Sequence, residues 1–436
     1  MNILFRDRYI ETIERKELEQ LQLSRLQETL RHAFKTPFYR ERLSSSGIHS
    51  PEDIRSLSDI SRIPFTTKND LRDAYPYGLL SVDRSEAVRL HASSGTTGTP
   101  TVIFHTAKDI ANWTEITVRS IVCAGCTKND VFQNMMTYGL FTGGLGLHYG
   151  AENLGMLVIP ASSGNTKRQF KLMKDFQTTV VHATPSYLLH LWSKMDEEGV
   201  QLKDLSLKKA FLGAEPHSER IRQKIEDLFQ IDAYNSYGLS EMNGPGVAFE
   251  CLYKNGMHLW EDSYILEIIN PETLEPVRDG ERGELVLTTL MREATPLLRY
   301  RTRDLTSIIP EPCPCGRTHR RISRITGRSD DMLIINGVNV FPSQIEEVIM
   351  KLPEIGNNYL ILVEKVGSLD RITVKTEVTP DIFTDDTRDL NALREKIKEM
   401  LKASISISPI VELHEPGFLP VSEGKAKRVQ DIRGEF

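Results

Sequence analysis

The chain has 436 residues, 39% of them hydrophobic and 26% charged, with 54 basic and 60 acidic side chains. That length exceeds one ordinary domain and suggests about two or three, and the composition fits a globular protein able to bury large cores. A net charge of −6 argues against a nucleic-acid partner held by bulk electrostatics.

The N-terminus, MNILFRDRYIETIERKELEQ, carries charges where a secretion signal needs an apolar stretch. No apolar run approaches the roughly 20 residues that cross a bilayer. A cytoplasmic location, no membrane partner and reduced cysteines are therefore expected. Residues 14–44 have the spacing of one amphipathic helix, with Leu23, Leu26, Leu30 and Phe34 along one side, closing near Pro37. SEAVRLHA then reads as a short strand with Val88 and Leu90 on one face, feeding SSGTTGTPT at 93–101. Glycine lets backbone approach a ligand closely, and each Ser or Thr adds a rotatable donor. Beyond it, DIANWTEITVRSIVCAG has helical spacing. Strand, glycine–hydroxyl loop and helix together suggest a cradle for phosphate oxygens; the bland alternative is a surface turn. No G-x-x-x-x-G-K-[ST] occurs, which argues against a P-loop NTPase.

From about 85 to 240, strand-like segments (TTVVHATP, LKKAFLGAEP) alternate with helix-like ones (SYLLHLWSKM, SERIRQKIEDLF) before IDAYNSYGLSE. This alternation indicates an α/β core with ligand loops at strand ends. YILEIIN and GELVLTTL look like antiparallel strands around a turn at ETLEPVRDGERG. Beyond ITGRSDD come a helix (QIEEVIMKL), two strands (NYLILVEK, RITVKTEV), a helix (LNALREKIKEMLKAS) and a strand (IVELHE). These make a small α+β unit of about a hundred residues. The expected fold class is α/β, with α/β layers and a β-rich part in the large N-terminal domain.

The cysteines carry a second pattern. Cys313 and Cys315 in EPCPCGRTH, with Cys251 and His258 in VAFECLYKNGMH, offer thiolate and imidazole ligands in the number suited to a closed structural Zn²⁺. His319 could replace His258, and C-x-C is less diagnostic than C-x-x-C. The true C-x-x-C, Cys123 and Cys126, falls at the end of an amphipathic helix, where buried thiols are expected rather than a redox pair. A zinc-ribbon nucleic-acid binder would normally add a second close cysteine pair and basic flanks.

SSGTTGTPT, YGLSE at 237–241, RYRTRD at 299–304, GRSDD at 327–331 and EGKAKR at 423–428 occur in the order that resembles the acyl-adenylate-forming superfamily. Within it, FTGGLGLHYGAE, YGLSEMNGPGVAFEC and GRSDDMLIINGVNVFPSQIEE look like the phenylacetate–CoA ligase family. The resemblance implies attack of a carboxylate on the α-phosphate of ATP, then attack of the coenzyme A thiol on the acyl-adenylate with release of AMP. Two anions meet in the first step, so cations and oriented donors must offset their repulsion. Ser93, Ser94, Gly95, Thr96 and Thr97 would hold the triphosphate, with Ser240 on phosphate and Glu241 as a hard oxygen ligand for Mg²⁺. Asp304 would accept the ribose hydroxyls. Gly213, Ala214, Glu215 and Pro216, with Asn235, Ser236, Tyr237 and Gly238, look like the family's adenine pocket, Tyr237 supplying an aromatic face.

Lys425 resembles the lysine that bridges carboxylate and α-phosphate, with Lys427 as runner-up. Many relatives carry lysine where this chain has Thr99, which implies a less cationic phosphate grip. By analogy, Tyr138, Phe141, Gly143, Gly144, Ala214 and Pro245 line an acid pocket suited to a flat aryl-acetic acid. Phenylacetate leads, with indoleacetate or another aryl acid, or transfer to an amine or carrier protein, as alternatives. Asp330 resembles the superfamily's hinge between an adenylating domain, 1–329, and a mobile C-terminal domain, 330–436. Gly337 would then approach the pantetheine arm of coenzyme A. The family suggests a homodimer.

Overall fold

The computed structural model describes residues 3–93, 99–367, 369–380, 382, 387–420 and 428–433. The segment read as one helix over 14–44 is two, Arg15–Ala33 and Pro37–Ser45. Proline lacks the N–H that a continuing helix needs, but at the first turn of a new one that N–H is spare. Pro37 therefore opens the second helix, and Thr36 caps it by accepting from Tyr39 N–H. Leu26 and Leu30 bury fully, as the stripe predicts, in a core shared with Leu266, Leu285 and Leu287.

The phosphate-loop region also departs from expectation. Strand Ala87–Ala92 pairs antiparallel with a second strand, Val102–Thr106, and only then does the helix Ala107–Cys123 begin. SSGTTGTPT thus joins the two strands of a hairpin and does not run into a helix N-terminus. Val88 and Leu90 are 60% and 39% exposed, so the apolar face read from the sequence points to solvent. The five residues 87–91 alternate too briefly to say which face is covered.

The main sheet has nine strands, in the order Ile308–Ile309, Arg321–Ile322, Met257–Leu259, Ala248–Glu250, Asp232–Tyr237, Lys209–Leu212, Val180–Ala183, Val131–Asn134 and Leu157–Ile159. The last five run parallel. Their largely buried runs (VVHA, KAFL) are what a sheet covered on both faces requires. Helices Thr142–Leu154, Thr166–Asp175, Pro185–Lys194 and Glu219–Phe229 make the crossovers. Tyr264–Ile269, Gly283–Thr289 and Tyr300–Thr306 form a separate antiparallel sheet, as YILEIIN and GELVLTTL predict.

The C-terminal unit has its own core. Its four-stranded sheet runs Ile410–His414, Leu369–Val378, Ile355–Val366, Val429–Asp431, with helices Pro342–Ile349 and Thr387–Ile405. The chain reaches it along the strand Tyr300–Thr306: Leu305 N–H donates to Gly327 O at 2.9 Å and Ser329 N–H to Arg303 O at 2.7 Å.

The N-terminus is stitched to the loop that carries Cys313 and Cys315. Glu11 is fully buried; its carboxylate accepts from Arg6 N–H at 2.7 Å, Asp7 N–H at 2.9 Å and Arg317 Nε at 2.6 Å. Removing one partner of a buried ion pair leaves the other charge uncompensated. Glu11→Ala should therefore cost about 3–5 kcal/mol of stability, read as a lowered urea midpoint. A loss no larger than a typical surface substitution would contradict this account of the Arg317 pair.

Candidate functional site

In sheets of this type ligands bind at the carboxyl ends of the parallel strands. Strand Lys209–Leu212 leads into Gly213–Pro216, and Asp232–Tyr237 leads into Gly238–Glu241. Gly238 admits no side chain, since a Cβ there would lie 2.4 Å from Gly244 Cα. The YGLSE turn and the NGPG segment therefore close on each other backbone to backbone.

Asp304 and Tyr237 are brought together from different sheets. The Tyr237 hydroxyl donates to Asp304 Oδ2 at 2.6 Å, and Arg328 Nη1 donates to Oδ1 at 3.3 Å. Burial raises the Asp304 carboxyl to about 6, Arg328 and Tyr237 pulling it partly back. Burial, then the charge of Asp304, lifts the Tyr237 phenol well above its ordinary range. On the neighbouring strand positions, the Asn235 amide nitrogen and the Ser236 hydroxyl are buried without a hydrogen-bond partner among the described residues. Unsatisfied buried donors are costly, so such a pair marks a place where a polar ligand fits. Glu215 is already engaged: it accepts from Ser186 N–H at 2.7 Å and Ser186 Oγ at 3.0 Å, and so holds the start of helix Pro185–Lys194. Ala214, in the left-handed region at φ +67, and Pro216 are exposed beside it.

Glu241 is 6% exposed and accepts from Thr101 Oγ1 at 3.3 Å. Beneath it the buried Arg292 donates to the Glu241 carbonyl and to Asn243 Oδ1. Ser240 Oγ lies 3.4 Å from Thr142 Oγ1. Ser93 closes the neck of the hairpin: its N–H donates to Thr101 O at 3.0 Å and its Oγ accepts from Thr101 N–H at 3.0 Å. Ser94, Gly95, Thr96, Thr97, Lys425 and Lys427 lie outside the described residues. Thr99 is exposed.

Of the residues expected around the acid, Tyr138, Phe141, Gly143 and Gly144 lie at the N-terminal end of helix Thr142–Leu154, and Ala214 follows strand Lys209–Leu212. The Tyr138 hydroxyl sits 3.0 Å from Asn134 Nδ2 and 3.1 Å from His148 Nδ1, and burial pushes it to about 12. A Cβ at Gly144 would meet Thr137 O at 2.8 Å, so the loop presses directly on the helix; Gly143 beside it is half-buried. Phe141 is 43% exposed, and Pro245 packs against Gly146. The Leu140 carbonyl accepts from Ala92 N–H and contacts His91 Nδ1, both at 3.0 Å, tying this loop to the phosphate hairpin.

A third cluster is metal-competent. Cys251, His258, Cys313 and Cys315 are all buried, with their ligand atoms within 4.8 Å of one another. His258 Nδ1 lies 3.2 Å from His319 O, an arrangement that leaves Nε2, 3.3 Å from Cys315 Sγ, to face the thiols. His319 is not the fourth member: its nitrogens are taken by Glu261 N–H at 2.9 Å and Ile10 O at 2.8 Å. Cys123 and Cys126 are buried free thiols, as expected of a helix end.

Asp330 is exposed and takes Arg328 Nε and Nη2 at 2.8 and 2.9 Å. Gly337, at φ +83, forms part of the turn between strands Leu333–Ile335 and Val338–Val340, with open space around it. Thr101, Arg292 and Arg328 join the site without having been singled out by the sequence. Thr101 and Arg328 stand inside the recognised motifs and are legible there; Arg292, in a loop with no motif, is not.

Residues 59–290 match the AMP-binding enzyme family and residues 337–433 the AMP-binding enzyme C-terminal domain. The phenylacetate-coenzyme A ligase of Escherichia coli (strain K12) is 46% identical over 97% of this chain and 97% of that protein. That of Pseudomonas putida is 47% identical over 97% and 96%. The chain belongs to the phenylacetate–CoA ligase family. Its fold is also that of 2-hydroxyisobutyryl-CoA ligase in the postadenylation state with 2-HIB-AMP: TM-score 0.92 at 26% identity, covering 98% of this chain and 92% of that one. Against the same enzyme with CoA in the thioesterification state the score is 0.72 over equal coverage.

The carboxyl of Asp304 gives a stability test. Its folded pKa lies above the ordinary 3.8, so the folded protein holds that proton where the unfolded chain has lost it. Stability is then lost as pH rises from about 4 to 6. Asp304→Asn abolishes this, and the stability difference should move in the variant's favour by on the order of 2–3 kcal/mol from about pH 4 to pH 7. Denaturant titrations at several pH values measure it; a flat difference would place Asp304 in an ordinary carboxylate environment.

Proposed function

We propose that this chain ligates phenylacetate to coenzyme A through an acyl-adenylate, consuming ATP and releasing AMP and pyrophosphate. The carrying observation is identity of 45–47% to four phenylacetate-coenzyme A ligases along 97% of the chain. With that match, transfer to an amine or carrier protein, or a zinc-ribbon role, is not needed. The aryl ring would lie against Tyr138, Phe141 and the small residues Gly143 and Gly144, with Ala214 and Pro245 completing the pocket. A pyrophosphate-release screen over aryl, fatty and amino acids, with and without coenzyme A, tests the assignment: phenylacetate should give the highest kcat/KM, and thiol-independent AMP release would overturn it.

In this reading Asp304, ionised, accepts the ribose hydroxyls, while Asn235 and Ser236 offer their unpaired polar atoms to the adenine beside Gly213–Pro216 and Tyr237. The loop Ser93–Thr97 cradles the phosphates, Ser240 adding a hydroxyl. Glu241, buried and held by Thr101, has the hard oxygen donors that Mg²⁺ prefers; the ion supplies charge neutralisation for the triphosphate. Lys425 offsets the repulsion of carboxylate and α-phosphate. Asp330 is the hinge about which 331–436 turn, bringing Gly337 to the pantetheine arm. The protein is read as cytoplasmic.

Oriented donors to a developing charge are typically worth about 3–4 kcal/mol, or roughly 10²–10³ in rate. Lys425→Ala should slow adenylation by about that factor while leaving thioester formation from supplied acyl-adenylate largely intact. Near-normal adenylation would pass the role to Lys427.

The buried Cys₃His set fits a structural Zn²⁺. Purified protein should hold about one zinc per chain after dialysis against mild chelator. Cys313→Ser should lose the metal and lower the melting temperature, with adenylation kinetics little changed at a permissive temperature. Metal-free wild type of equal stability would sink this.

A further inference from the structure

The two units touch through contacts that lie outside the nucleotide site. Helix Glu219–Phe229 of the large unit starts at Ser218, whose hydroxyl accepts from Ile221 N–H. The Ser218 N–H itself donates to Glu346 Oε1 at 3.2 Å. Glu346 stands on helix Pro342–Ile349 of the small unit, is 9% exposed, and accepts from Tyr359 OH at 2.5 Å through its other oxygen. Two residues beyond Ser218, Arg220 Nη1 donates to the carbonyls of Met350 and Lys351 at 3.4 and 2.8 Å. A carboxylate thus meets the positive end of one helix, and a guanidinium meets the negative end of the other. Met350, between them, packs against the cores of both units.

We propose that Glu346 and Arg220 form a latch that holds the two units in the placement seen here, which superposes better on the postadenylation state of 2-hydroxyisobutyryl-CoA ligase (TM-score 0.92) than on its thioesterification state (0.72), and that its release gates thioester formation. The proposal rests on the two-step ligase reading above. Both contacts cross between the units, so rotation about Asp330 must break them together. The Tyr359–Glu346 bond lies wholly within the small unit and survives the turn, keeping the carboxylate aimed for return. Breaking a charged hydrogen bond in one placement but not the other shifts the population between them. Glu346 and Arg220 are positioning residues; neither needs to touch substrate.

The test uses the full-length enzyme and both half-reactions: adenylation by pyrophosphate release, and thioester formation from supplied acyl-adenylate. Arg220→Ala changes an exposed side chain, so folding is not at risk. It should raise the ratio of thioester-forming to adenylating rate by roughly three- to tenfold, and Arg220→Lys, which can still donate to the two carbonyls, should restore most of the wild-type ratio. An unchanged ratio, or equal loss of both rates, overturns the latch. Amide exchange at Ser218 supplies a readout independent of activity: Glu346→Ala should accelerate it, and unchanged exchange also overturns the proposal. Wild type inactive in both half-reactions with every acid would instead refute the ligase reading, leaving the exchange result to decide the latch.

Discussion

The contact on which the rest of the structure turns is that of Asp304 with Arg328 and Tyr237. Asp304 belongs to the β-rich sheet, Tyr237 ends a strand of the α/β sheet, and Arg328 lies in the segment entering the small unit. One buried carboxyl therefore ties three parts of the molecule together. Its burial opposes ionisation, and the guanidinium and phenol partly compensate. Arg328 is shared: the same side chain that steadies Asp304 also grips Asp330. Through that one guanidinium, Asp304 in the β-rich sheet and Asp330 at the entry to the small unit are physically connected.

A second constraint is the management of charge in a crevice built for anions. Arg292 is fully enclosed, spending its donors on the Glu241 carbonyl and Asn243 instead of forming a direct pair with the Glu241 carboxylate. This keeps a cation under the YGLSE turn while the Glu241 carboxylate takes the Thr101 hydroxyl. The Leu140 carbonyl ties the loop before helix Thr142–Leu154 to strand Ala87–Ala92 through one pair of contacts. Elsewhere, the Glu11–Arg317 pair holds the first turns of the chain onto the loop that also carries Cys313 and Cys315, between two strands at one edge of the main sheet.

Much of this is legible in the sequence, and the departures have definite causes. Five ordered motifs identify the family, and the alternation of strand-like and helix-like segments marks the α/β core, because both are local patterns. Pro37 reads as a stop and is a start: the ring forbids a preceding helical N–H bond but suits a first turn. The second strand of the hairpin at 87–106 escapes the pattern because VIFHT is short and abuts a strong helical signal. Choosing His258 over His319 needs the partners of each ring, which no spacing reveals.

The sequence by itself determined the family: the motifs SSGTTGTPT, YGLSE, RYRTRD, GRSDD and EGKAKR are recognised by residue type and covalent order alone. Only the tertiary structure decided which of them meet. Tyr237 reaches Asp304 across 67 residues, Thr101 reaches Glu241 across 140, and Ser218 reaches Glu346 across 128. Such contacts depend on how separate sheets and units pack, and packing is set by complementary shape and burial over the whole chain, which a local pattern does not encode.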